Sequence, residues 1–98
     1  MTINQIKDGS NLTIIPVGRL DSTTSDEFSD FINCSFTDEI EKLILDFTDV
    51  DFISSKGLRV LVTLHKSLNG RKLEIVGANS SVSEIFRLSG LSSIFDLK

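Results

Sequence analysis

The chain has no Trp and no Tyr, and only one Cys, one Pro and one Met among its 98 residues. Each scarcity excludes something. Lys and Arg (10 together) are outnumbered by Asp and Glu (14) and are scattered, so the basic face that grips nucleic acid is missing. Cys34 stands alone, which rules out an internal disulfide and suits a reducing compartment. No apolar run approaches the ~20 residues of a membrane span. The opening Met1-Thr2-Ile3-Asn4-Gln5 lacks the basic-then-apolar layout of a signal peptide, so the sequence reads as cytoplasmic.

What is present is an ordinary globular composition, 40% hydrophobic and 24% charged. The length suits a single domain over residues 1–98, able to bury roughly 60–65% of the surface of its unfolded chain. Seven Phe without other aromatics point to a packed aromatic core rather than a platform for stacking bases. The net charge of −4 bears on partners more than on fold.

Periodicity then orders the elements. Ile3 to Lys7 and Asn11 to Leu20 flank Asp8-Gly9, a hairpin signal, with Pro16 favouring an edge or a bulge for the second strand. Thr24 with Glu27 reads as a capping box before a helical stripe of Phe28, Phe31, Ile32 and Phe36. Lys42 to Phe47 is a short apolar run, expected as a central strand covered on both faces. After a connection at Asp49–Ile53, the residues Leu58, Leu61, Val62, His65 and Leu68 repeat with helical period up to a stop at Asn69-Gly70. Lys72 to Gly77 reads as a strand. Ser81 with Glu84 reads as a second capping box before Ile85, Phe86 and Leu88, with Gly90 as the stop. Ser93 to Leu97 closes the chain as a strand. The order β-β-α-β-α-β-α-β predicts an α/β fold with a mixed sheet, largely parallel after an antiparallel opening hairpin.

Chemistry concentrates at Ser54 and Ser55, where strand passes to helix. Either hydroxyl can cap the first helical turn. The same place suits a phosphate, because a helix N-terminus carries about half a positive charge and free N–H donors. Lys56 and Arg59 are near enough in sequence to supply pairing cations.

Three segments carry a resemblance. Val50-Asp-Phe-Ile-Ser-Ser-Lys-Gly-Leu-Arg-Val-Leu61 resembles the signature of STAS domains of the anti-sigma factor antagonist type. Gly18-Arg-Leu-Asp21 is similar to that family's Gly-x-Leu-Asp turn, and Leu88-Ser-Gly-Leu91 to its Leu-x-Gly-Leu ending. Together they cover nearly the whole chain, in the family's order. The resemblance implies a mixed sheet with helices packed on one side. It also implies a non-enzymatic partner-switching protein without a cofactor. Such a protein binds an anti-sigma factor that is also a serine kinase, so that a sigma factor or another effector is released. Phosphorylation of the motif serine breaks that contact and a PP2C-type phosphatase restores it. Matched through Gly57-Leu58, the phosphoacceptor falls on Ser55, with Ser54 as second choice. The partner surface falls on Asp21, Ser54, Ser55, Lys56, Gly57 and Arg59. Ser54 stands where several phosphorylated members have Asp, and Lys56 where a small residue is usual.

Other readings compete. A STAS accessory subunit of a transport or signalling complex would use Ser55 only as a cap. A serine hydrolase is opposed by His65, ten residues along the helix and therefore ~15 Å from Ser55. Asp46, Asp49 and Asp51 lack the glycine and terminal Glu of a calcium loop. Cys34 is expected to be a small apolar filler.

Overall fold

The computed structural model describes residues 1–97. Its elements are β1 (Thr2–Asp8), β2 (Asn11–Leu20), α1 (Ser25–Ser35), β3 (Lys42–Asp46), β4 (Val50–Ile53), α2 (Ser55–Ser67), β5 (Lys72–Val76), α3 (Ser80–Leu88), a 3-10 turn (Leu91–Ser93) and β6 (Asp96–Leu97). The path across the sheet is β1-β2-β3-β5-β6, with β4 joined separately to β2. β1 and β2 are antiparallel, and every other pairing is parallel. The expected mixed α/β sheet is therefore present, with one strand more than the sequence suggested.

That strand is β4, which occupies most of the expected Asp49–Ile53 connection. Its burial runs buried, exposed, exposed, buried, so it shows no period-2 alternation. It exists because β2 is long enough to serve two parallel partners in turn. Asn11 to Ile14 pair with β3, and Gly18 to Leu20 pair with β4. Pro16 lies between these two stretches, where a missing donor interrupts neither parallel ladder. β2 is thus interior rather than an edge, and its irregularity comes at Gly18/Arg19. Gly18 has φ +115 there, a conformation that a side chain would strain.

Leu12 and Ile14 of β2, Leu43 and Leu45 of β3, and Leu73 and Ile75 of β5 are all buried, while their alternate neighbours are half-buried or exposed. β3 is therefore covered on one face, not two, because the helices share a single side of the sheet. Phe28 meets Phe47, Phe47 meets Phe86 and Phe86 meets Phe95, with ring centroids 6.1–6.4 Å apart. This is the expected aromatic core, and such contacts each add about 0.5–1.5 kcal/mol beyond their buried area. Phe31 and Phe36 pack beside it, whereas Phe52 lies exposed on β4. Cys34 is exposed, contrary to its expected place as filler, because it falls off the Phe28–Ile32 face of α1.

Both expected capping boxes are replaced by other contacts. Thr24 precedes α1, but its hydroxyl turns back to donate to Arg19 O at 2.6 Å and to accept from Asp21 N at 3.0 Å. α3 is capped two residues earlier than Ser81, by Asn79, whose Oδ1 accepts from Val82 N at 2.8 Å. Glu84 instead pairs with Arg87. The stop after α2 is as expected, with Asn69 and Gly70 both at positive φ. The expected Ser93–Leu97 strand is shortened to β6 by the preceding 3-10 turn.

Candidate functional site

The site forms where β2 and β4 end side by side. Leu20 pairs with Ile53, and the Ser54 amide donates to Leu20 O at 2.9 Å. One bond thus sets the mouth of α2 directly beside the turn that begins at Asp21. Gly57 locks the junction. It is buried, and a Cβ there would lie 2.7 Å from Leu20 O and 2.9 Å from Ile53 Cγ1. Its place in the motif is explained by this close approach of helix to strand. Gly57 is buried at this junction, whereas Asp21, Ser54 and Lys56 are half-buried and Ser55 and Arg59 exposed.

The two serines divide the work. Ser54 is half-buried, and its Oγ accepts from Gly57 N at 3.2 Å, so it is the N-cap. Ser55 is the first helical residue; it is exposed, and among the described residues its hydroxyl makes no hydrogen bond. The amides of Gly57 and Leu58 are satisfied by Ser54, which leaves those of Ser55 and Lys56 open at the helix end. Sequence alone left either hydroxyl free to cap; the geometry gives the cap to Ser54.

The charged groups around Ser55 are arranged by the start of α1. Lys56 reaches across to Asp26 Oδ2 at 3.1 Å and to Ser22 O at 3.5 Å. Being exposed, this ion pair contributes at most about 1 kcal/mol, but it directs Lys56 away from Ser55. Arg59, four residues after Ser55 and so on the same helix face, makes no ion pair among the described residues. Asp26, Lys56 and Arg59 border a groove of about 250 Å³ between α1 and α2, with Ser29, Val60 and Thr63 as its other walls.

Asp21 is held by its own turn. Its Oδ1 accepts from the Thr23 hydroxyl at 2.7 Å and the Thr23 amide at 3.0 Å, with the Thr24 amide at 3.3 Å. These donors, the Thr23 hydroxyl foremost, favour the carboxylate and hold the pKa at about 2, below the usual 3.8. The second oxygen, Oδ2, lies 3.5 Å from Arg19 Nε. Asp21 is therefore a fixed negative charge next to the α2 mouth.

Two contributors escaped the sequence reading. The Arg19 guanidinium lies over the Phe52 ring, 4.5 Å from its centroid, and the two residues are cross-strand partners. Asp26 lies inside the Thr24–Glu27 segment, where the sequence suggests only a capping box. Neither had a local signal, since each acts through a pairing made by the fold. His65 lies farther along α2 against Phe95, with its Nδ1 buried and unpartnered, and takes no part in the site. Asp46 accepts from the Thr48 amide at 3.0 Å and the Thr48 hydroxyl at 2.6 Å in a local turn.

A mixed sheet with an opening hairpin, and an exposed serine heading a helix beside a Gly-x-Leu-Asp turn, define a known class. The chain belongs to the STAS domain family, whose family model matches residues 2–98. It is 30% identical over 94 residues to the anti-sigma-B factor antagonist of Listeria monocytogenes serovar 1/2a, covering 94% of this chain and 82% of that protein. An anti-sigma factor antagonist from Mycobacterium paratuberculosis has the same fold at TM-score 0.89 and 22% identity, covering 98% of this chain and 83% of that one. The phosphorylated form of the Bacillus cell fate determinant SpoIIAA superposes at TM-score 0.75 and 16% identity, covering 99% and 91%.

Proposed function

We propose that this chain is a cytoplasmic anti-sigma factor antagonist switched by phosphorylation of Ser55. Unmodified, it binds an anti-sigma factor that is also a serine kinase, and a sigma factor or other effector is released. The chain is a binding protein rather than an enzyme, and a PP2C-type phosphatase resets it. The observation that carries this reading is the division between the two serines: the Ser54 hydroxyl is engaged as cap, while that of Ser55 is exposed and free.

The physics of the switch is local. A phosphate on Ser55 adds about −1.5 to −2 charges. Two open amides and Arg59, one turn on, stand ready to receive it. The helix therefore tolerates the group, while a partner docked over Ser55 meets bulk and charge that it cannot desolvate. Lys56, the departure from the family pattern, does not crowd the acceptor because Asp26 draws it aside.

The test is binding of the purified chain to the cognate kinase anti-sigma factor of the same organism, by calorimetry. Ser55→Ala is expected to bind within about twofold of wild type, and Ser55→Asp at least about tenfold more weakly. Equal affinity of all three would refute the switch.

A further inference from the structure

The sheet ends on β1, and that edge is unguarded. Its residues pair with β2 one for one, from Thr2 with Val17 to Asp8 with Asn11, without a bulge or a proline of its own. Among the described residues no strand lies on its outer side. A long, regular edge is a template for another chain, which folds normally blunt with lysines, bulges or a covering loop. Lys7 is the one cation in β1, and it is drawn to Glu39 at 3.7 Å. Beside the edge, Ile6 is 58% and Val17 38% exposed, on the face of the sheet opposite the helices. Pro16 fixes which backbone groups point outward. It has no N–H and faces Ile3, so these two are not a pair that exchanges both bonds. By the antiparallel alternation, Thr2, Asn4, Ile6 and Asp8 bond to β2, while Ile3, Gln5 and Lys7 turn their N–H and C=O groups to solvent.

We propose that the β1 edge is a dimerisation surface, and that its occupant is β1 of a second copy, antiparallel about a twofold axis at Ile6. Outward residues must meet outward residues, so a twofold pairing has to be centred on a residue of β1 rather than between two. Centred on Gln5, it sets Lys7 against Ile3 and Ile6 against Asn4; centred on Asn4, it sets Gln5 against Ile3. A centre nearer either end shortens the ladder, and at Lys7 it also sets lysine against lysine. Centred on Ile6, it sets Ile6 against Ile6, Gln5 against Lys7 and Asn4 against Asp8. Each of these pairs is matched: apolar on apolar, an amide oxygen for an ammonium, an amide N–H for a carboxylate. A twofold contact needs this self-complementarity, in which one residue meets a second while the second meets the first. The axis stands perpendicular to the joined sheet, so the helices of both copies stay on one side. The copies run antiparallel, so their two α2 mouths lie at opposite ends. A ladder this short buries less than the ~1,200 Å² of a standard interface, and the dimer is weak and concentration-dependent.

Sedimentation equilibrium of the purified chain decides the matter. Wild type is expected to pass from monomer toward dimer as its concentration is raised to ~1 mM. Ile6→Lys opposes two cations at the axis and is expected to weaken association about tenfold or more, while Val17→Lys, on β2 away from the axis, stays within about twofold. Both side chains are exposed, so circular dichroism melts near the wild-type midpoint are expected and show that the variants are folded. A cross-linking measurement reads the register. With Cys34→Ser removing the native exposed thiol, Ile6→Cys is expected to form a disulfide dimer under mild oxidation far faster than Gln5→Cys, whose partner is Lys7. Wild type that stays monomeric at ~1 mM refutes the proposal, as does a dimer that survives Ile6→Lys. Association lost in Val17→Lys but kept in Ile6→Lys assigns the contact to the open sheet face and refutes the edge. Equal cross-linking of the two cysteine variants refutes the axis at Ile6.

Discussion

Two helices of this fold begin in the same way and differ in what surrounds the start. α2 is capped by Ser54, whose side chain accepts from the amide three residues on, and α3 is capped by Asn79 in the same manner. Each cap is followed by an exposed serine, Ser55 or Ser80. Four residues on from that serine stands Arg59 in α2 and Glu84 in α3. At the position whose amide donates to the cap stands Gly57 in α2, pressed against Leu20, and Val82 in α3, filling the core. The α3 start is tied inward, with Asn79 Nδ2 donating to Val50 O at 3.2 Å. The α2 start is tied sideways by Lys56 to α1 and leaves its serine and an arginine open. A cap alone therefore does not mark a switch. Both serine hydroxyls are free among the described residues, and the charge one turn later, Arg59 against Glu84, is what separates the two helix starts.

The largest way to break the comparison is at Gly57. Gly57→Ala forces a Cβ onto Leu20 O and Ile53, and is expected to lower stability by about 1–3 kcal/mol, read as a lower denaturant midpoint at unchanged m-value. Next come the caps. Asn79→Ala removes a cap and a tie to β4, and is expected to cost about 1–2 kcal/mol; Ser54→Ala is expected to cost about 1 kcal/mol, and both are read by the same unfolding curves. Ser55→Ala is expected to leave stability within about 0.5 kcal/mol of wild type, because that hydroxyl holds nothing. A large loss there would make Ser55 structural after all.

The smallest effect sharpens the comparison through pH. The Asp21 carboxyl titrates near 2 in the folded chain, below its usual 3.8. A depressed carboxylate stabilises the fold above its unfolded value, and that contribution is lost as pH falls from about 4 through about 2. Asp21→Asn is expected to flatten the acid limb of the unfolding midpoint measured across that window. An acid limb identical to wild type would show that the Thr23 and Thr24 bonds do not hold the charged form.

The sequence reading succeeded where a signal was local and repeated. The buried Leu61 and Leu68 of α2, the Phe28–Ile32 stripe of α1 and the hairpin at Gly9 all follow from spacing and turn chemistry. It failed where a contact spans the fold. β4 is four residues long without alternation, and it exists because β2 exchanges partners past Pro16. Lys56 meets Asp26 thirty residues away, and Arg19 meets Phe52 through β4, so neither pairing has a trace in local sequence. The capping-box template misled at Thr24 and Ser81, since Arg19 O and Asn79 offered those starts better bonds. Motif matching placed Ser55 and Asp21 in one site, and the Leu20–Ser54 bond supplies the reason they are adjacent.

The central claim, that the free serine at the α2 mouth is the switch and the similar serine at α3 is not, is tested most directly by phosphosite mapping. The chain is incubated with its cognate kinase anti-sigma factor and ATP, digested and analysed by tandem mass spectrometry. A single phosphate on Ser55, lost in Ser55→Ala and retained in Ser54→Ala, is the predicted result. Phosphate on Ser54 or Ser80 in place of Ser55, or no incorporation by a kinase that binds the chain, would contradict the account.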